Sequence, residues 1–449
     1  MSKNRACQRL IAGRAAEPDA GEQFVKGRDD ERHTASAASI EGSDTGIWVV
    51  TAATEDDAGN TAPGGPKRRD CTDRQPVSVS ASSGSGNSGS GATPTKPVPA
   101  RPGGPGTDPH VYAALDLGTN NCRLLVARPT RRGFQVIDAF SRIIRLGEGV
   151  TASGVLSEAA MVRAVEALRV CSNKIHRQRV GRFKLVATEA CRIADNGPEF
   201  IARVSADVGL DLEILSREDE AKLAVAGCAS LIDVDSDYAL VFDIGGGSSE
   251  LIWLDLKRRH GPWRRSLADR LDAHTCIAAW TSLPVGVVSL AEKFDGRNVT
   301  EASFEAMVDH VSAMIAPFEA EHRLAERIAD SRTHLLGTSG TVTTIAGILL
   351  GLPRYDRNRV DGCWLATDDV RRVTYGLMRG THEERVAEPC IGRERADLVL
   401  AGCAILEAML RTWPTRRLRV ADRGLREGIL ATLMAEDGHF RERGQRGGA

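Results

Sequence analysis

A chain of 449 residues has room for two or three domains and a large apolar core, so folding requires neither a disulfide framework nor a structural metal. Apolar residues make up 42% and charged residues 27%, the composition of an ordinary globular protein. The net charge of −1 excludes an overall basic bias toward nucleic acid or a membrane surface, so any anion site must come from local arrangement of charge.

Residues 1–107 differ from the rest. Ser78 to Gly106 is almost entirely Ser, Gly, Pro, Ala and Thr, which cannot bury enough apolar surface to offset its ordering entropy. A disordered low-complexity extension is expected, with a hint of a strand only at Gly46 to Ala53. The first residues hold no sustained apolar stretch, so no secretory signal is expected. Ten cysteines are scattered without CxxC pairs or His/Cys clusters, and they read as buried reduced thiols. That pattern points to the cytoplasm.

At Val111 the pattern becomes globular. VYAALD, Arg123–Arg128 and Phe134–Phe140 predict three short strands separated by turn residues. Leu156 to Gln178 predicts a helix with Met161, Val165, Leu168 and Ile175 on one face. Phe183–Thr188 and Asp211–Leu215 predict strands, and Pro198 sits where a helix can begin. Ser216, with Asp219 three residues on, resembles a capping box opening a helix through Leu231.

The cycle then restarts with strands at Tyr238–Asp243 and Glu250–Leu256 and a third in AWTSLPVG. Helices are predicted at Val287–Phe294 and Glu301–Phe318, then a strand at Thr333–Gly337. The run Leu335 to Leu352 is broken by Gly, Ser and Thr, so it reads as strand, loop and helix rather than a membrane span. A last strand at Arg416–Ala421 precedes a last helix at Leu425–Ala435. Strands followed by alternating helices and strands, occurring twice, predict two similar α/β domains with a cleft between them, 108–236 and 237–449, the second with a helical C-terminal part.

Two segments look like copies of one another. Asp116-Leu-Gly-Thr-Asn-Asn121 follows the apolar strand VYAAL, and Asp243-Ile-Gly-Gly-Gly-Ser-Ser249 follows YALVF, 127 residues later. Glycines such as Gly118, Gly245, Gly246 and Gly247 let backbone N–H groups approach phosphoryl oxygens. Thr119, Ser248 and Ser249 add hydroxyl donors, and Asp116 and Asp243 can hold magnesium or another divalent cation against the same oxygens. One such turn would be an ordinary hairpin. Two at domain spacing, with GTSGT (Gly337–Thr341) opening an apolar helix, indicate phosphate binding.

The paired turns resemble the phosphate loops of the sugar kinase, heat-shock chaperone and actin superfamily. YAALDLGTNNCRLLVA, VATEACRIADN, LSREDEAKLA, LVFDIGGGSSELI, SLPVGVVSL, LLGTSGTVTTIAGI and DRGLREGIL, in this order, resemble the exopolyphosphatase / guanosine pentaphosphate phosphohydrolase (Ppx/GppA) family. The resemblance runs from about Tyr112 to Leu430 and implies two actin-like (ribonuclease H-like) domains.

By residue type alone, Glu220 is a helix-stabilising acid near the positive N-terminus of its helix. The resemblance instead makes it the catalytic base, with Glu189 as the alternative acid. It also places Glu250 beside Asp243 near the metal, though strand alternation leaves the direction of Glu250 open. Arg192 reads equally as a surface residue or as a phosphate clamp, and the resemblance favours the clamp. Asn120 and Gly340 join the substrate-binding set on the same ground. Arg142 and Arg145 could line the cleft or be solvated strand charges; Arg354, Arg357 and Arg359 read as a polyanion track or, more commonly, a solvated loop. Cys122 and Cys191 flank the motifs without a base partner and read as packing residues.

The implied activity is release of the terminal phosphate of inorganic polyphosphate by in-line attack of water, with magnesium. The alternatives are the 5′-phosphate of guanosine pentaphosphate (pppGpp), or binding without catalysis as a polyphosphate or alarmone sensor. A kinase of the same superfold lacks a signature for an adenine pocket or a sugar acceptor. A homodimer is expected, with neither nucleic acid nor membrane as partner.

Overall fold

The computed structural model describes residues 107–259 and 268–440. The expected extension, apart from Thr107, and the strand hint at Gly46–Ala53 lie outside the described residues.

The first sheet contains β1 (Asp108–Leu117), β2 (Asn121–Thr130), β3 (Gly133–Ile143), β4 (Val180–Ala187) and β5 (Glu213–Ile214), in the order β3-β2-β1-β4-β5. The second contains β6 (Tyr238–Ile244), β7 (Ser249–Asp255), β8 (Ile277–Leu283), β9 (Thr333–Thr338), β10 (Trp364–Ala366) and β11 (Arg417–Ala421), in the order β10-β11-β9-β6-β7-β8. Without β10 the two orders are the same. In each, three antiparallel strands are followed by two parallel ones. The twice-run cycle seen in the sequence is therefore a structural repeat, and β10 is an addition to the second copy.

The helices that position the site are α1 (Glu158–Arg177), α2 (Glu189–Ile193), α3 (Gly197–Val208), α4 (Arg217–Cys228), α5 (Val287–Phe294), α6 (Glu301–His322), α7 (Gly340–Leu349), α8 (Thr367–Arg379), α9 (Val399–Thr412) and α10 (Leu425–Glu436). On α1, Val165, Leu168 and Ile175 are buried and Met161 is partly buried, the face read from the sequence. Ser216 caps α4 by accepting from the Asp219 N–H. The box closes differently from its usual form: the Ser216 hydroxyl donates to the Asp219 carboxylate, one methylene shorter than the Glu that would reach the cap backbone. Helix α6 runs four residues past its expected end at Phe318, with Pro317 inside it.

Strand alternation explains how the sheets are covered. Val111, Ala113, Leu115 and Leu117 of β1 face a core closed by α1 and α3, whereas Tyr112 and Ala114 face the other way. That second face is covered by Ile429, Leu430, Leu433 and Met434 of α10. In β6, Leu240, Phe242 and Ile244 join the large core with α6, α7 and α9, while Ala239 and Val241 face Ala221, Ala224, Val225 and Cys228 of α4. So the packing does not divide between residues 236 and 237. The last helix of each half lies on the sheet of the other half, and α4 and α10 cross between the two sheets.

The crossing is tight. A Cβ at Gly227 would stand 1.9 Å from the Gly424 carbonyl oxygen, and one at Gly428 2.0 Å from that of Leu223. Backbone cannot yield as a side-chain tip does. Gly227→Ala should therefore destabilise the protein by about 1–3 kcal/mol by overpacking, despite the better helix propensity of alanine. Thermal or urea unfolding checks this, and an unchanged or raised midpoint would show that the helices can separate freely.

Candidate active site

The four central parallel strands β1, β4, β6 and β9 end at one cleft, the side of an α/β sheet where ligands bind. Each is followed by a turn that reaches it. After β1 the Gly118 N–H donates to the Asn121 carbonyl at 2.9 Å, and after β6 the Gly245 N–H donates to the Ser248 carbonyl at 2.9 Å. The two glycine turns thus share one geometry. They also touch. A Cβ on Gly246 would lie 2.8 Å from Thr119 Cβ, and one on Gly247 2.9 Å from Thr119 Oγ1, which is why these positions carry no side chain.

After β4, Thr188 leads into α2; after β9, Ser339 caps α7 by accepting from the Val342 N–H. These four turns, with the first turns of α4 and α10 and the segment before α9, enclose a cavity of about 160 Å³. It is lined by Asp116, Gly118, Thr119, Asn120, Glu220, Asp243, Gly245, Gly246, Gly247, Ser248, Glu250 and Gly340, so residues from both halves of the chain meet there.

Strand register settles the direction of Glu250. It pairs directly with Asp243 across β6 and β7, so the two side chains stand on the same face of the sheet. The Ser282 hydroxyl donates to Glu250 Oε1 at 2.8 Å. In the first sheet the register partner of Asp116 is Arg123, seven residues on, the spacing that separates Asp243 from Glu250. Arg123 also lines the cavity. Imposing the second copy's spacing on the first would have singled it out. Arg395, in the turn before α9, is the other lining cation, and no sequence pattern marked it.

The acids raise one another. Burial, followed by the charge of Glu250, pushes the Glu220 carboxyl well above the usual range, with Arg192 opposing. Burial and the charge of Asp243 push Glu250 up. Asp243 is pushed up to about 7 by burial, then by the charges of Glu220 and Asp116. Asp116 is raised by burial against the pull of Arg123 and Arg426.

Arg192 is not in the wall of the cavity. Its Nε donates to the Leu215 carbonyl at 2.9 Å, one terminal nitrogen to Glu189 at 2.6 Å and the other to Glu220 at 2.5 Å. The guanidinium brackets carboxylates instead of presenting a fork to the cleft. Arg142, Arg145, Arg354 and Arg359 also lie outside the lining. Arg357 is part of neither a track nor a solvated loop, because it is tied to Glu427 and the Asp422 carbonyl. Cys122 and Cys191 are buried, as expected of packing residues.

A duplicated strand order, twin aspartate-led glycine turns and one acid-lined cleft between the copies define a two-domain actin-like α/β protein. The Ppx/GppA phosphatase family model matches residues 125–437, and the chain belongs to that family. It is 27% identical over 335 residues to the guanosine-5'-triphosphate,3'-diphosphate pyrophosphatase of Photobacterium profundum, covering 73% of this chain and 60% of that protein. The chain therefore spans about three-fifths of that relative's length. It is similar to the crystal structure of the Aquifex aeolicus Ppx/GppA family member, at 27% identity and TM-score 0.57, over 73% of this chain and 99% of that one. An exopolyphosphatase from Cytophaga hutchinsonii shares the fold at 24% identity and TM-score 0.63, over 73% and 98% of the two chains.

Proposed function

We propose that this chain hydrolyses the terminal phosphoryl group of inorganic polyphosphate by in-line attack of water. The observation that carries this reading is the meeting of Asp116, Glu220, Asp243 and Glu250 with both glycine turns in one cavity. A sensor needs donors for the anion, but it does not need four acids there.

Divalent-cation dependence belongs to the proposal. Among the described residues no group of three or more His, Cys, Asp or Glu is close enough to cage an ion. The donor set suits magnesium even so, because that ion keeps several waters and takes one or two carboxylates together with substrate oxygens. Two buried amide oxygens in the wall, Asn120 Oδ1 and Asn121 Oδ1, lack a hydrogen-bond partner and could accept from its waters. Asp116, Asp243 and Glu250 would hold the ion. Once bound, it would neutralise charge on the phosphoryl oxygens and relieve the crowding of the acids.

The chain's own groups divide the remaining work. Thr119, Ser248 and the backbone N–H groups of the two turns donate to the phosphoryl oxygens. Arg123 and Arg395 supply fixed positive charge from opposite halves of the protein. Glu220 takes the proton of the attacking water, and its raised pKa makes it a stronger base once ionised. The buried thiols of Cys122, Cys171, Cys191, Cys228, Cys276 and Cys403 support a cytoplasmic site of action.

Guanosine pentaphosphate (pppGpp) is the second reading. It is favoured by the apolar part of the wall, Val287, Leu398, Val399 and Leu425, which bare polyphosphate would not need. Phosphate release from polyphosphate, pppGpp and ATP, with and without magnesium, tests both. We expect magnesium-dependent release from polyphosphate at least tenfold faster than from ATP. Binding of polyphosphate without release would leave the sensor.

A further inference from the structure

Glu189 opens α2 at the end of β4 and is only 3% exposed. Its two oxygens are used by two different cations. Oε2 accepts from Arg192 at 2.6 Å, and Oε1 accepts from Arg217, on the first turn of α4, at 2.7 Å. A carboxylate held between two guanidiniums is poorly placed to abstract a proton, so the sequence-level alternative of Glu189 as the base loses ground to Glu220. Its own contacts suggest another part.

The Arg192 guanidinium is planar, and two of its three edges are pinned, at the Leu215 carbonyl and at Glu189. Those two points fix where its remaining nitrogen goes, which is to Glu220 Oε2. Only one Glu220 oxygen is engaged in this way, leaving Oε1 for water. Without Glu189, the arginine fork is free to swing onto Glu220 and grip both oxygens, the geometry guanidinium and carboxylate prefer. A base gripped at both oxygens has a lone pair on each occupied and its charge neutralised, so it takes a proton far less readily.

From this geometry we infer that Glu189 is a positioning residue: by holding Arg192 it keeps Glu220 bound at one oxygen and free at the other. The inference rests on the hydrolytic reading above, with Glu220 as base. Arg217 adds a second cation, so Glu189, Glu220, Arg192 and Arg217 form a set of two carboxyl groups and two guanidiniums. Glu189 also faces the second glycine turn, since a Cβ on Gly247 would lie 3.2 Å from its Cγ. Part of the set therefore sits where the two halves meet.

The test is steady-state phosphate release by the full chain with magnesium, for wild type, Glu189→Gln, Arg192→Gln and the double variant. Glu189→Gln is expected to lower kcat about 10–100-fold and to change KM less than about threefold. Because its damage passes through Arg192, the double variant should be no slower than Glu189→Gln alone. Glu189→Asp, which keeps the charge, should fall between wild type and Glu189→Gln; it also serves if the glutamine variant fails to unfold cooperatively. Wild-type kcat in Glu189→Gln, a loss confined to KM, or losses that multiply in the double variant would each overturn the inference while leaving the hydrolytic reading intact. A wild type that releases no phosphate from polyphosphate or pppGpp would overturn both.

Discussion

Glu220→Gln is expected to lower kcat by about 10²–10⁴-fold, the usual worth of a general base, with little change in KM. Glutamine keeps the size of the side chain and an oxygen for Arg192, so the fold and the bracket at 2.5 Å should survive. What it cannot do is take a proton. The wild-type rate should rise with pH as Glu220 ionises, because burial and Glu250 hold its carboxyl above the usual range. In the variant that ascending limb should flatten. A Glu220→Gln enzyme as fast as wild type would remove Glu220 as the base and return the role to water positioned by the turns alone.

Asp243→Asn should be the second severe lesion, costing about 10²-fold or more in kcat/KM at low magnesium, through lost charge beside the phosphoryl group. It carries an opposite effect on stability. An aspartate pushed up to about 7 from 3.8 keeps its proton in the folded state where the unfolded chain has lost it. Between those values the folded protein binds more protons, so wild-type stability falls as pH rises through the window. Asparagine has no such loss. The variant should therefore be more stable than wild type at pH 8 without magnesium, by about 1–2 kcal/mol after allowing for water in the cleft, and no more stable near pH 4. Chemical unfolding at the two pH values checks this. A variant less stable at pH 8 would mean that the aspartate is held by favourable contacts and is not crowded by its neighbours.

The same crowding predicts how the ion behaves. A divalent cation must displace protons from Asp243 and Glu250, so its affinity should climb as pH rises through about 7.

Much of the fold was legible because its two copies are local events. Short continuous apolar runs bounded by turn residues marked β1, β6 and β9, and the seam of Val165, Leu168 and Ile175 marked α1. The strand β10, three residues long, carries too few positions for a pattern to emerge. The glycine turns were legible because there are two of them: one aspartate-led turn alone would pass for an ordinary hairpin, but a matched pair 127 residues apart does not. Arg192 was legible as a residue but not in its role. Of its three bonds only the one to Glu189 is local; the other two go to Leu215 and Glu220, 23 and 28 positions away, and nothing at Arg192 itself announces them.

The sequence by itself determined the repeated α/β architecture, the two aspartate-led glycine turns, the acids that accompany them and, through the order of its motifs, the family. Only the tertiary structure decided that α4 and α10 exchange sheets, that Glu250 faces the same way as Asp243, that Arg123 and Arg395 supply the positive wall, and that Glu189 steers Arg192. The division has a physical basis. A turn or a strand is set by interactions among neighbours in the chain, whereas the direction of a side chain and the partner that takes its hydrogen bonds depend on strand register and on segments brought together from both halves.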